Sequence, residues 1–203
     1  MSQRVVRDGY DTIAARYLEA RARDSEDVRL LRELVERLPV NARVLDAGCG
    51  AGVPVALALS RQFEVVGVDF STAQVRLGHR EVPRVTFVRG DMVRSPFRGN
   101  AFDGICSYYA MIHVPRAHHA ALLREFQRVL RPSGWMLACM GYSDEPDHTE
   151  ADYFGCPMFW SHYDAETNLG LLRESGFSVA WSKPVRDASD PAAVHLFVLA
   201  QRT

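Results

Sequence analysis

The side chains in this sequence best suited to carry a proton are its seven histidines, since imidazole titrates near neutral pH without help. Position sorts them. His79, His118, His119 and His148 fall in stretches that read as surface or loop and are expected to be solvated, while His195 lies inside the apolar run AVHLFVLA and reads as core. His113 follows a predicted strand, FDGICSY, at its C-terminal end, and His162 closes an aromatic segment just ahead of a predicted helix. These two are the candidate bases. Each also has a plainer role: an imidazole bonded to backbone in the turn before Pro115, and a capping group beside Asp164. His113, His118 and His119 make no metal set, because Pro115 breaks any common helical face, and Asp103 stands alone at a strand start rather than in a magnesium-like acid cluster. No metal is expected.

A second group of residues points to a ligand. The apolar pair Val44-Leu45 runs into Asp46-Ala47-Gly48-Cys49-Gly50-Ala51-Gly52, then into a helix-like stretch over 53–61. Another strand, over 64–68, ends in Asp69. Strand, glycine turn, helix and strand form a βαβ unit. The glycines let backbone approach a ligand, and an acid at the tip of the second strand can accept hydrogen bonds from ribose hydroxyls. A dinucleotide fingerprint wants G-x-G-x-x-G, whereas here the spacing is G-x-G-x-G, with Val53 in the sixth place and Pro54 after it. A third strand, over 85–88, ends in Arg89-Gly90-Asp91-Met92, another glycine and acid where an open α/β sheet binds ligands.

The residues VLDAGCGAG at 44–52, with Val68-Asp69 beyond, closely resemble the first two motifs of the Rossmann-like (class I) S-adenosylmethionine (SAM)-dependent methyltransferases. The likeness continues through FD, HVP and LREFQRVLRPSGW between 102 and 135, where LRPSG stands in place of the usual LRPGG, and reaches back to YDTIAARY at 10–17. It implies SAM as cofactor and S-adenosylhomocysteine (SAH) as product. The cofactor contacts it implies are Asp46, Gly48, Cys49, Gly50 and Gly52 in the turn, Asp69 and Phe70 at the ribose, and Gln74 on the next helix. At the adenine it implies Gly90, Asp91 and Met92, and elsewhere Tyr17, Ser107 and Tyr108. The methyl group would point to the sheet edge where His113 stands. Tyr10, Tyr109, His113, Met158, Phe159, Trp160 and His162 are the residues expected around the acceptor. That acceptor is expected to be a small, partly hydrophobic or aromatic molecule methylated at O, N or S. The alternatives are a methyltransferase acting on tRNA or protein, and a SAM- or SAH-binding protein without transfer activity. No Asp/Asn-Pro-Pro-Tyr sequence is present, which argues against methylation of the exocyclic amines of DNA bases.

The elements that must position these residues follow from period and punctuation. Apolar spacing predicts helices over 4–22 and 27–38. Ser71-Thr-Ala-Gln74 is a capping box, so a helix should run from there to about residue 80, with Ser71 a cap rather than a ligand contact. Further helices are expected over 116–130 and 165–174, the latter capped by Asp164 and ended by Gly176. Residues 141–163 show no convincing period but end in Tyr153, Phe154, Met158, Phe159 and Trp160; they read as a loop serving as a substrate lid, or as a plug over the sheet edge. Strands over 177–186 and 193–202, joined through Asp187, Ser189, Asp190 and Pro191, are too close for a crossover helix and must be antiparallel. The expected fold is α/β: a doubly wound, mostly parallel seven-stranded sheet with helices on both faces and a C-terminal antiparallel hairpin.

Composition bounds the rest. At 203 residues, 47% hydrophobic and 24% charged, the chain reads as one domain, 1–203, with N-terminal helices over 1–40. A net charge of −1 supplies no global basic field for nucleic acid or an anionic membrane. No signal-peptide core or membrane span is visible, and the four cysteines stand singly without a CxxC. A cytoplasmic protein with a small-molecule partner, no nucleic acid and no membrane is the expectation; nothing indicates oligomeric state.

Overall fold

The computed structural model describes residues 2–190 and 192–203; Pro191 of the expected terminal turn lies outside the described residues. The chain opens with α1 (Ser2–Ala20), α2 (Glu26–Arg29) and α3 (Leu31–Val35). Then come β1 (Arg43–Ala47), α4 (Val55–Leu59), β2 (Glu64–Asp69), α5 (Thr72–Glu81), β3 (Thr86–Arg89) and β4 (Phe102–Ser107). After these follow α6 (His119–Val129), β5 (Leu130–Gly141), β6 (Glu145–Tyr153), β7 (Cys156–His162), α7 (Ala165–Glu174), β8 (Phe177–Arg186) and β9 (Val194–Arg202). Seven strands form one sheet in the order β3-β2-β1-β4-β5-β9-β8. The first five are parallel, and β9 runs antiparallel to both β5 and β8. This is the sheet expected from the sequence. Two apolar clusters, one around Val44, Leu59 and Phe197 and one around Leu45, Phe126 and Val198, cover its two faces. Neighbouring residues of β1 and of β9 thus enter opposite clusters, which is why those strands read as unbroken apolar runs.

The order reverses between β1 and β4, so their C-terminal ends open onto a crevice, the usual ligand position in such sheets. Local chemistry sets the helices around it. At the start of α5, Ser71 Oγ accepts from Gln74 N at 3.1 Å. At the start of α7, Asp164 Oδ1 accepts from Thr167 N at 2.8 Å. Both caps stand where the sequence placed them, and Gly176 follows α7 at φ +84°.

Three expectations need revision. The helix over 27–38 is split at Leu30 into α2 and α3, where Leu30 N bonds to both Glu26 O and Asp27 O and tightens the turn. His119 is buried rather than solvated, 1% exposed, with Nε2 donating to Val114 O at 3.0 Å. The largest departure is 141–163. Most of it is the antiparallel hairpin β6–β7, turned at Phe154 (φ +53°) and Gly155 (φ +88°), and not a loop. β7 buries Cys156, Met158, Phe159 and Ser161, while β6 is exposed along most of its length. One polar strand and one mostly buried strand hide the alternation that would have announced a hairpin. β7 packs on α1 so closely that a Cβ at Gly9 would lie 3.0 Å from Met158 Cε. All four cysteines are free. Among the described residues, no helix is long and apolar enough to cross a membrane.

Candidate active site

The crevice at the ends of β1, β2 and β4 holds a cavity with about 670 Å³ of empty space, part of it open solvent. Helix α1 covers it. Tyr10 Oη lies 2.9 Å from His113 Nε2, Gln3 Nε2 donates to Asp91 Oδ2 at 3.3 Å, and Asp11 Oδ1 accepts from Ser71 Oγ at 2.7 Å and Ala73 N at 2.9 Å.

The glycine turn forms the floor. Gly48 has φ +73°, and a Cβ there would fall 2.2 Å from Ala110 Cβ, so only glycine lets the loop after β4 approach. Asp69 accepts from Gly50 N through Oδ2 and from Ser71 N through Oδ1, both at 2.9 Å. It braces the turn against α5 and keeps a second lone pair on each oxygen. Burial raises its pKa to about 6, against the lowering effect of those amides. Asp46 is 2% exposed; burial first, then the Asp69 charge, raises it to about 7. Its Oδ2 and both amide atoms of Gln74 are buried without a partner among the described residues. Unpaired buried polar atoms are costly. Here they suit a polar, partly cationic ligand such as the amino-acid end of SAM.

Tyr10, Tyr17, Gly48, Gly50, Asp69 and Phe70 line this cavity, as do Gln74, Gly90, Asp91, Met92, Tyr108, Tyr109 and His113. Asp46 and Cys49 line a second cavity that shares Tyr17, Gly48, Gly50, Gln74, Tyr108 and Tyr109 with the first. Other expected residues do not reach either. Ser107 is fully buried and donates to Ala47 O at 2.9 Å, tying β4 to β1. Gly52 serves packing, since a Cβ there would lie 2.7 Å from Phe87 Cζ. Met158 and Phe159 are buried in the α1–β7 contact. Trp160 lies tilted by 38° against His113 at 4.4 Å between ring centroids and donates to Glu150 at 3.1 Å. His162 is half-buried over Gly141, with Nδ1 donating to Ser143 O at 2.8 Å. The sequence reading missed Arg21, Ala110 and Val114, which also line these cavities. Val114 stands in the HVP run, which could have flagged it; Arg21 and Ala110 stand in no motif.

His113 is 6% exposed. Its Nδ1 is 2.8 Å from Phe159 O. A carbonyl only accepts, so Nδ1 carries the proton and Nε2 accepts from Tyr10 Oη. Burial lowers the His113 pKa to about 4, and the Phe159 carbonyl opposes that shift. The ring is therefore neutral at pH 7, with its one lone pair turned to Tyr10. Backbone anchoring and a basic nitrogen belong to the same side chain here.

Comparison with known proteins gives a match to a methyltransferase domain over residues 44–134. The chain is 37% identical over 115 residues to methyltransferase GfsG of Streptomyces halstedii, covering 52% of this chain and 41% of that protein. It is 37% identical over 128 residues to a trans-aconitate 2-methyltransferase of an Azoarcus species, covering 61% and 49%. It thus spans less than half the length of either relative. Among solved structures, the 1,6-didemethyltoxoflavin-N1-methyltransferase of Burkholderia thailandensis, with bound S-adenosylhomocysteine, superposes with a TM-score of 0.70 at 24% identity over 97% of this chain and 83% of that one.

Proposed function

We propose that the chain is a class I SAM-dependent methyltransferase, the reading its match to a methyltransferase domain over residues 44–134 supports, and that it methylates O, N or S of a small, partly hydrophobic or aromatic acceptor. The observation that carries this reading is the pair of unpartnered buried groups, Asp46 Oδ2 and the Gln74 amide, beside the Gly48–Gly50 turn. When bound, SAM supplies an already activated methyl group, so the protein's task is alignment and exclusion of water. Asp46 would hold the ammonium group, Asp69 the ribose hydroxyls, and Asp91 with Met92 the adenine. Tyr10, Tyr17, Tyr109 and His113 would border the acceptor. For a hydroxyl or thiol acceptor, the proton released as the methyl bond forms would go to His113 Nε2, with Nδ1–H held on Phe159 O. The acceptor must displace the Tyr10 hydroxyl or pass its proton through it. The named acceptors of two similar proteins, trans-aconitate and 1,6-didemethyltoxoflavin, support a small molecule. Four free cysteines suit a cytoplasmic setting.

Calorimetric titration with SAM, SAH and NAD in parallel tests the cofactor. Micromolar binding of SAM and SAH without NAD is expected, and binding of NAD alone would overturn the reading. A panel of small acceptors then tests transfer.

A further inference from the structure

Along the sheet, the acids assigned to the cofactor come in order: Asp91 after β3, Asp69 at the end of β2 and Asp46 in β1. The strands that follow in the sheet are β4, β5, β9 and β8. Their ends make a second corner, on the side of the cleft away from the adenine. Tyr109 comes just after β4. Gly141, the last residue of β5, stands opposite His195 in β9, and His195 stands opposite Val185 in β8. Asp187 directly follows β8.

Two polar groups in this corner lack partners. Tyr109 and His195 are each more than nine-tenths buried, and their rings meet edge-on at 5.1 Å between centroids. Among the described residues, neither Tyr109 Oη nor His195 Nδ1 has a hydrogen-bond partner. Asp46 Oδ2 and the Gln74 amide show the same signature in the cofactor's part of the cleft. Tyr109 lines both cavities and has φ +53°, a left-handed conformation rarely adopted by an aromatic residue. The Arg21 guanidinium lies over its ring, 4.6 Å from the centroid, and Phe197 meets its edge at 6.0 Å. Tyr109 is thus strained but held in place.

Asp187 decides which chemistry His195 offers. Its Oδ1 accepts from Ser189 N at 2.7 Å and from Ser189 Oγ at 2.6 Å, while its Oδ2 faces His195 Nε2 at 3.8 Å. Burial lowers the His195 pKa against the pull of that carboxylate, so the ring is neutral and carries one proton. A carboxylate only accepts, so the proton belongs on Nε2, and Nδ1 is left with a bare lone pair. A bare buried lone pair attracts an O–H or N–H and repels a carboxylate.

We propose that His195, oriented by Asp187, and Tyr109 form an acceptor-binding subsite that selects a neutral acceptor carrying an O–H or N–H group. That group donates to His195 Nδ1; a hydroxyl also accepts from Tyr109 Oη. The subsite anchors the acceptor and is separate from the proton-accepting nitrogen of His113. It deepens the methyltransferase reading above and rests on it.

Calorimetry on the SAH-loaded protein tests the selection with one ring and four substituents: p-cresol, p-toluidine, toluene and p-toluate. At least one of p-cresol and p-toluidine should bind about tenfold or more tighter than toluene and p-toluate, and which one does separates O–H from N–H recognition. His195→Phe, which keeps a planar ring and removes both nitrogens, should erase the preference and leave SAH affinity unchanged. Nitrogen-15 NMR of the unaltered protein reads the tautomer: a protonated Nε2 and a bare Nδ1 are expected at His195, and the preferred compound should shift the Nδ1 signal. Toluene or p-toluate binding as tightly, no binding of either protic compound, or a proton on Nδ1 overturns the subsite alone. No binding of SAM or SAH overturns the parent reading, and the subsite with it. The panel and the NMR measurement use the unaltered protein, so they stand even if His195→Phe misfolds.

Discussion

Asp46 is the residue whose protonation should report on the site. Its folded pKa of about 7 lies above the ordinary carboxylate value. The folded chain therefore binds more protons than the unfolded one between about pH 4 and 7. That contribution to stability is complete at low pH and is lost as pH rises through the folded pKa. A cationic ligand prefers the ionised form, so SAM affinity should weaken below pH 7, by at most about tenfold per pH unit. Asp46→Asn should flatten both slopes, read by thermal melts and calorimetry across pH 5–8. Asp69→Ala should weaken SAM binding by about 1.5–3 kcal/mol; unchanged affinity would remove Asp69 from the ribose role. For His113, a pKa of about 4 means no loss of activity from its protonation between pH 5 and 8. His113→Ala should leave SAH affinity intact and slow turnover of whichever acceptor is found, whereas a lost fold would mark it as a strut between Tyr10 and Phe159.

At the level of elements, the glycine turn and the β6–β7 hairpin carry the tests. Gly48→Ala places a methyl group against Ala110 in a left-handed conformation. It should destabilise the fold by about 1–3 kcal/mol in denaturant titrations and weaken SAM binding as well. Met158→Ala empties the contact beneath α1, where the side chain is 0% exposed. A loss of about 2–5 kcal/mol is expected, and normal stability would mean that α1 and β7 are not packed as described. These elements were unequally legible. The caps at Ser71 and Asp164 showed because capping is local chemistry between residues three apart. The hairpin did not, because the burial of β7 is set by α1, more than a hundred residues away in the chain.

Across the whole molecule, the reversal of strand order at β1 and β4 gathers residues from five separate segments at one crevice. Strand periods, the glycine spacing and the acids at strand ends, with the family resemblance they carry, pointed to the doubly wound sheet and directed attention to Asp46, Asp69 and Asp91. Each of those signals depends on neighbours within one element, so it survives without coordinates. Which polar atoms are left unpaired, that Tyr10 meets His113, that Ser107 faces Ala47 and that Arg21 rests on Tyr109 depend on contacts between distant segments. Such contacts are set by packing in three dimensions and leave no period or spacing in the chain.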